Sequence, residues 1–136
     1  MLVAHLWEEL GGIYPEMNSH APKEIAGPGS GFVVAWLNGE AVGCGAWRSL
    51  GVSAPGVAEI KRMFVEPKAR RGGISRQILG ELERFARADG YSKVRLETGR
   101  RQPYAIRLYE TSGYRRIEPY GRYRDDPLSV CYEKVL

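Results

Sequence analysis

One stretch near the middle of the chain restricts the fold more than any other. The β-rich run VAEIKRMFV stops before Pro67, a cationic glycine loop KARRGGIS follows, and apolar residues then return at helical spacing. Ile74, Ile78, Leu82 and Phe85 lie four, four and three apart, Leu79 and Ala86 widen the stripe, and Gly90 stands where a helix would be capped. A strand that passes through a bare loop into an amphipathic helix requires a sheet for the helix to cover. The loop also has a chemical meaning. A helix N-terminus carries four backbone N–H groups without internal partners and the positive end of the helix dipole. Gly72 and Gly73 remove the side chains that would block an anion, while Arg70, Arg71 and Arg76 raise the local potential. No Gly-Lys-Ser/Thr ends this loop and no GxGxxG occurs in it, which excludes the common nucleoside-triphosphate and dinucleotide loops.

The remaining elements follow from the same reasoning. Leu2, Leu6, Trp7 and Leu10 recur at helical spacing before Gly11 and Gly12, which predicts a first helix. GFVVAWL and EAVGCGAW flank Asn38-Gly39, a hairpin signal, and predict two antiparallel strands. VAEIKRMFV is a third strand and KVRLETG a fourth. Pro103 opens a further helix that Gly113 closes, and YRRIE and SVCYEKVL are final strands around the loop PYGRYRDDPL. The expected fold is α/β (α+β), with a single mixed, mostly antiparallel central sheet flanked by helices.

Composition narrows the function. A chain of 136 residues with 43% apolar content supports one domain, here spanning residues 1–136. No apolar run is long enough to cross a bilayer, so neither a membrane nor a secreted location is expected, and a cytoplasmic protein is. Cys44 and Cys131 sit far apart in strand-like runs and read as buried free thiols. His5 and His20 have no partners at ligand spacing, so no metal is expected. Six cations against one anion between Lys61 and Arg76 form a focal basic patch, which suits a compact phosphorylated cofactor better than a nucleic acid.

The succession EIKRMFVEP, RRGGIS, amphipathic helix, RLETG and AIRLYETSGY resembles the GNAT N-acetyltransferases. Their diphosphate-binding signature, Gln/Arg-x-x-Gly-x-Gly/Ala, places Arg70 and Gly73 on its fixed positions and Ser75 on the last. The resemblance runs from about Gly31 to Leu136 in element order, and it implies the GNAT (acyl-CoA N-acyltransferase) fold with acetyl-CoA as cofactor. Backbone groups of Met63, Phe64 and Val65 would hold the pantetheine arm. Arg70, Arg71, Gly72, Gly73, Ile74, Ser75 and Arg76 would cradle the pyrophosphate. Tyr109 falls at the position of the family's usual general acid, and Glu59 at the spacing of the base in the histone-acetylating branch. The chain departs from the family in Ser75, in Gln102-Pro103 where an asparagine is common, and in an N-terminal strand that would be missing or very short.

The chemistry such residues would supply is simple. A primary amine is protonated at neutral pH and must lose a proton before it attacks a thioester. Glu59 is the acid on the central strand and the candidate base; it could instead be a strand-end carboxylate paired with Lys61 or Arg95, with Glu97 as the next candidate. An N–H at Phe64 or Val65, freed where neighbouring strands part, would stabilise charge on the thioester oxygen. A phenol near pKa 10 can protonate a thiolate near 8.5 at an uphill cost of about 2 kcal/mol, a role open to Tyr109 unless that ring is plain core. Glu97, Arg101, Gln102, Tyr120 and Tyr123, with Arg100, would line the acceptor side, and arginines there suit an acceptor bearing a carboxylate or phosphate. The expected activity is acetyl transfer to a primary amine of a small molecule, amino acid or peptide, in a monomer or a homodimer. Two other readings stand beside it: a non-catalytic acyl-CoA-binding sensor, and, ranked last, an arginine-rich nucleic-acid binder.

Overall fold

A computed structural model describes residues 2–4 and 29–136. Among these, seven strands form one sheet: β1 (Leu2–Ala4), β2 (Gly31–Leu37), β3 (Glu40–Ser49), β4 (Val57–Val65), β5 (Lys93–Gly99), β6 (Arg115–Ile117) and β7 (Ser129–Val135). Their spatial order is β1-β2-β3-β4-β5-β7-β6. Every neighbouring pair is antiparallel except β4 and β5, which run parallel. Two helices follow the strands of that parallel pair, α1 (Ile74–Ala88) after β4 and α2 (Pro103–Thr111) after β5. The mixed, mostly antiparallel sheet is therefore as the sequence predicts.

The start of the chain is not. Leu2, expected to open a helix, stands in β1 and pairs with Trp36 of β2. A ladder along an open strand edge outweighs the weak local preference of three apolar residues. Leu6, Trp7 and Leu10, and both histidines, lie outside the described residues.

The hairpin turn at Asn38-Gly39 has both residues at positive φ, 53° and 78°, the geometry that Asn-Gly favours. On one face of the sheet Val33, Ala35, Val42, Trp47, Ala58 and Ile60 meet the buried stripe of α1, and Trp47 stacks on Phe85 with ring centroids 5.3 Å apart. Glycines in β3 let the helix settle: a Cβ on Gly45 would lie 2.7 Å from Leu82 Cδ1 and 3.0 Å from Met63 Sδ. Opposite Gly45 the β3–β4 register slips by one residue, a bulge that puts Arg62 at φ 58°. The other face is polar toward the β7 side, where Glu133 is bonded by Arg95 (2.8 Å) and Arg115 (3.2 Å). Burial alone would raise that carboxyl's pKa; the arginine bonds outweigh it and hold the group below the usual range. Cys44 and Cys131 are buried, as expected.

Candidate active site

The site begins with a defect in the sheet. The parallel ladder of β4 and β5 covers Val57↔Lys93, Ala58↔Val94 and Glu59↔Arg95 and then stops. Beyond Glu59 the strands part, and among the described residues β4 from Ile60 to Val65 has no ladder on its β5 side. The fork has backbone groups along its walls, α1 beginning beyond its open end and Glu59 at its apex.

At the open end, the loop after β4 is shaped by two left-handed residues, Arg71 at φ 71° and Gly73 at φ 82°. A non-glycine residue in that region carries a local cost of about 1 kcal/mol, a kind of strain that clusters at functional sites. Gly73 is the N-cap of α1 and no side chain among the described residues caps the helix; the first intrahelical bond is Gln77 N–H to the Gly73 carbonyl. The N–H groups of Ile74, Ser75 and Arg76 are thus without helical acceptors. A Cβ on Gly73 would meet nothing within 4 Å among the described residues, so none of these blocks the approach.

The arginines divide their work. Arg70 Nε donates to the Val65 carbonyl at 3.0 Å and fixes the loop against the end of β4. Arg71 Nη2 donates to the exposed Tyr104 hydroxyl at 3.3 Å. Arg76 reaches the far end of α2, where Nη1 donates to the Thr111 carbonyl and Ser112 Oγ and Nη2 to Thr111 Oγ1. Three neighbours in sequence therefore hold a strand end, the start of α2 and its finish.

Tyr109 lies on α2, 5% exposed, with Tyr114 at 5.8 Å edge-on and Tyr132 at 6.1 Å. Burial, and secondarily the charge of Glu97, pushes its pKa up to about 12. The phenol is protonated throughout the neutral range, and delivery of its proton to a thiolate near 8.5 is uphill by about 5 kcal/mol rather than the 2 of a free phenol. Its neighbours are anchored: Tyr114 donates to Glu83 at 2.8 Å and Tyr132 to Glu110 at 2.9 Å.

Glu59, 1% exposed, has both oxygens engaged. Arg48, its partner across β3, brings Nε and Nη2 to Oε1 at 2.8 Å each. Tyr120 donates its O–H to Oε2 at 2.7 Å. The expected partners, Lys61 and Arg95, do not form this ion pair; Arg95 lies over the Tyr120 ring at 5.6 Å and bonds Glu133. Glu97, two residues along β5, accepts from Ser129 Oγ at 2.7 Å. Tyr123 packs edge-on against Tyr120 at 5.4 Å. Arg101 and Gln102 are exposed at the start of α2. Arg100 lines an open cleft of about 910 Å³ between β6, β7 and the intervening loop, with Arg116, Arg124, Pro119 and Cys131 among its walls.

With this geometry in view, the similarity to known proteins is decisive. The family model described as Acetyltransferase (GNAT) family matches residues 1–114. This chain belongs to the GNAT acetyltransferase family. An IAA acetyltransferase of Azospirillum brasilense is 41% identical, the match covering 99% of this chain and 88% of that protein. The N-acetyltransferase YsnE of Bacillus subtilis is 34% identical over 84% of this chain and 75% of its own. Among solved structures, an acyl-CoA N-acyltransferase from Klebsiella pneumoniae superposes with TM-score 0.82 at 29% identity, covering 99% and 97% of the two chains. A GNAT acetyltransferase from Elizabethkingia anophelis with acetyl-CoA bound shares the fold at TM-score 0.76 and 18% identity, covering 99% of this chain and 97% of its own. The protein is an acyltransferase of a family that uses acetyl-CoA, and the open fork and uncapped helix start fit that cofactor. Among the described residues no helix is long and apolar enough to cross a membrane.

For this GNAT acetyltransferase, sequence reasoning missed Arg48, Ser129, Tyr114 and Tyr132. Arg48 was the most accessible of these: RSLGVSAPGVAE joins two antiparallel strands, and folding it back on itself sets Arg48 across from Glu59.

Proposed function

We propose that this acetyltransferase moves the acetyl group of acetyl-CoA to a primary amine of a small molecule, amino acid or peptide. The observation that carries the reading is the fork: β4 and β5 separate after Glu59 and Arg95, directly before the glycine-opened start of α1. Acetyl-CoA supplies an activated acetyl thioester. Amides of Gly72 to Arg76, with the Arg71 side chain, hold the diphosphate, and Arg70 and Arg76 keep the loop and α2 in place for it. Backbone groups of Met63, Phe64 and Val65 bind the pantetheine arm, and N–H groups of that segment face developing oxyanion charge. Tyr109 protonates the leaving thiolate, and Glu59 receives the proton of the acceptor amine. The acceptor enters beside Tyr120 and Tyr123, near Glu97, with Arg101 and Gln102 at the rim. Arg100, Arg116 and Arg124 in the adjoining cleft favour an acceptor carrying a carboxylate or phosphate, beside Glu118, Asp125 and Asp126 that favour its ammonium.

The test is release of free thiol from acetyl-CoA with a panel of amino acids, amino-acid amides, peptides with free N-termini and polyamines. Thiol release with at least one amine, and a drop of about 100-fold in kcat for Tyr109→Phe with unchanged cofactor affinity, is the expected result. Thermal stabilisation by acetyl-CoA with no thiol from any amine would replace the transferase with a binding module.

A further inference from the structure

We infer that Tyr120 is the proton inlet to Glu59, so that the acceptor hands its proton to the phenol and not directly to the carboxylate. The inference rests on Glu59 being the base of the transfer proposed above. Its starting point is that Glu59 is 1% exposed with each oxygen already bonded, Oε1 by Arg48 and Oε2 by Tyr120. An acceptor amine cannot reach a carboxylate so enclosed without displacing a partner, and a proton arriving from outside must cross one of the two. Arginine has no lone pair to accept with and stays charged at any working pH. A phenol has both a proton to give and oxygen lone pairs to receive one.

The placement of Tyr120 agrees. It sits in the loop between β6 and β7, next to Pro119 and within electrostatic reach of Cys131, and those two residues line the 910 Å³ cleft. Tyr120 itself is only half-buried, so it keeps contact with solvent while its hydroxyl points at the buried carboxylate. The charged and titratable groups around the pair are Arg48 from β3, Arg95 and Glu97 from β5, Tyr123 from the same loop and Cys131 from β7. Burial and the Glu59 charge hold Tyr120 neutral, as a relay requires.

The step balances without another reactant. The ammonium N–H bond breaks and its proton joins Tyr120 Oη, while the Tyr120 O–H bond breaks and that proton joins Glu59 Oε2. Free amine, intact phenol and a protonated Glu59 remain, and the amine's lone pair is available for attack.

The experiment compares kcat/KM against pH for wild type, Tyr120→Phe, Glu59→Gln and the double variant, using acetyl-CoA and the fastest amine of the panel, with thermal unfolding of each protein. Each single variant is expected to lose about 100-fold in kcat/KM and the acidic limb of the profile, and the double variant no more than either. A purely structural tyrosine would lower the unfolding temperature and leave the limb where it is. Tyr120→Phe keeping the limb and staying within about threefold of wild type overturns the relay while the transferase stands, as do losses that multiply in the double variant. Should Glu59→Gln fail to fold, Tyr120→Phe alone decides. A wild-type protein inactive with every amine removes the transferase first and the relay with it.

Discussion

The two ends of β4 are built in opposite ways. Near its start, Glu59 is sealed from solvent and both carboxylate oxygens are spoken for by side chains from β3 and the β6–β7 loop. Past its finish, the chain offers backbone in a loop where, among the described residues, nothing obstructs Gly73 and no side chain caps the first turn of α1. The difference is one of chemistry. A diphosphate brings its own charge and needs donors it can reach, so the protein leaves them bare. A buried carboxylate cannot be left bare, because an unpaired charge in the interior costs several kcal/mol, so the protein surrounds it. One end depends on empty space and the other on filled space, and each can be broken by doing the reverse.

Filling the empty end has the largest expected effect. Gly73→Val forces a β-branched residue to φ 82° and puts methyl groups into the approach to the amides. Acetyl-CoA affinity should fall about 100-fold, counting about 1–3 kcal/mol for the forced conformation, as measured by calorimetric titration. Unchanged affinity would show that the loop amides do not hold the cofactor.

Emptying the filled end comes next. Arg48→Ala leaves Glu59 buried with one oxygen unpaired and should cost about 2 kcal/mol of stability by urea unfolding, below the usual range for a fully buried pair because the arginine is itself partly exposed. Cofactor affinity should not change. Pairing Arg48→Met with Glu59→Leu removes both charges and should recover most of the loss, which a simple cavity at Arg48 would not allow.

The same contrast explains what the sequence makes legible. The open end is written within a few consecutive residues, Arg70 to Ser75, and strand, glycines and stripe together determine its shape; α1 begins at Ile74 and Gly90 is left-handed at its end, as the spacing predicts. The sealed end is assembled from residues 11 and 61 positions from Glu59. Arg48 follows from the hairpin once its register is known, but Tyr120 comes from a loop whose path depends on how β6 and β7 pack, and no local pattern encodes that. Arg76 illustrates the same limit: its place beside the glycines suggested a phosphate, and no local pattern foretells that its side chain also reaches Thr111 and Ser112. At Leu2 the local pattern was misleading because an unpaired edge of β2 was available.

The smallest expected effect separates these regions from Tyr109, whose ring is enclosed like Glu59 but whose hydroxyl forms no hydrogen bond with another described residue. Its pKa is about 12 in the fold against 10.0 for a free phenol, mainly through burial and then through the charge of Glu97. The raised folded value means that the neutral form is favoured by folding. That contribution is complete below pH 10 and is lost as pH climbs from 10 toward 12, because the unfolded chain releases this proton first. Tyr114 and Tyr120 are raised as well and act in the same direction, so the wild-type slope alone cannot isolate Tyr109. The difference between wild type and Tyr109→Phe can. Between pH 10 and about 11 the wild type should lose about 1 kcal/mol more than the variant by urea unfolding, near the 1.4 kcal/mol per pH unit that one proton allows. Equal slopes would mean that water reaches the Tyr109 hydroxyl in the folded protein, and the cost of its proton transfer to a thiolate would then drop back to about 2 kcal/mol.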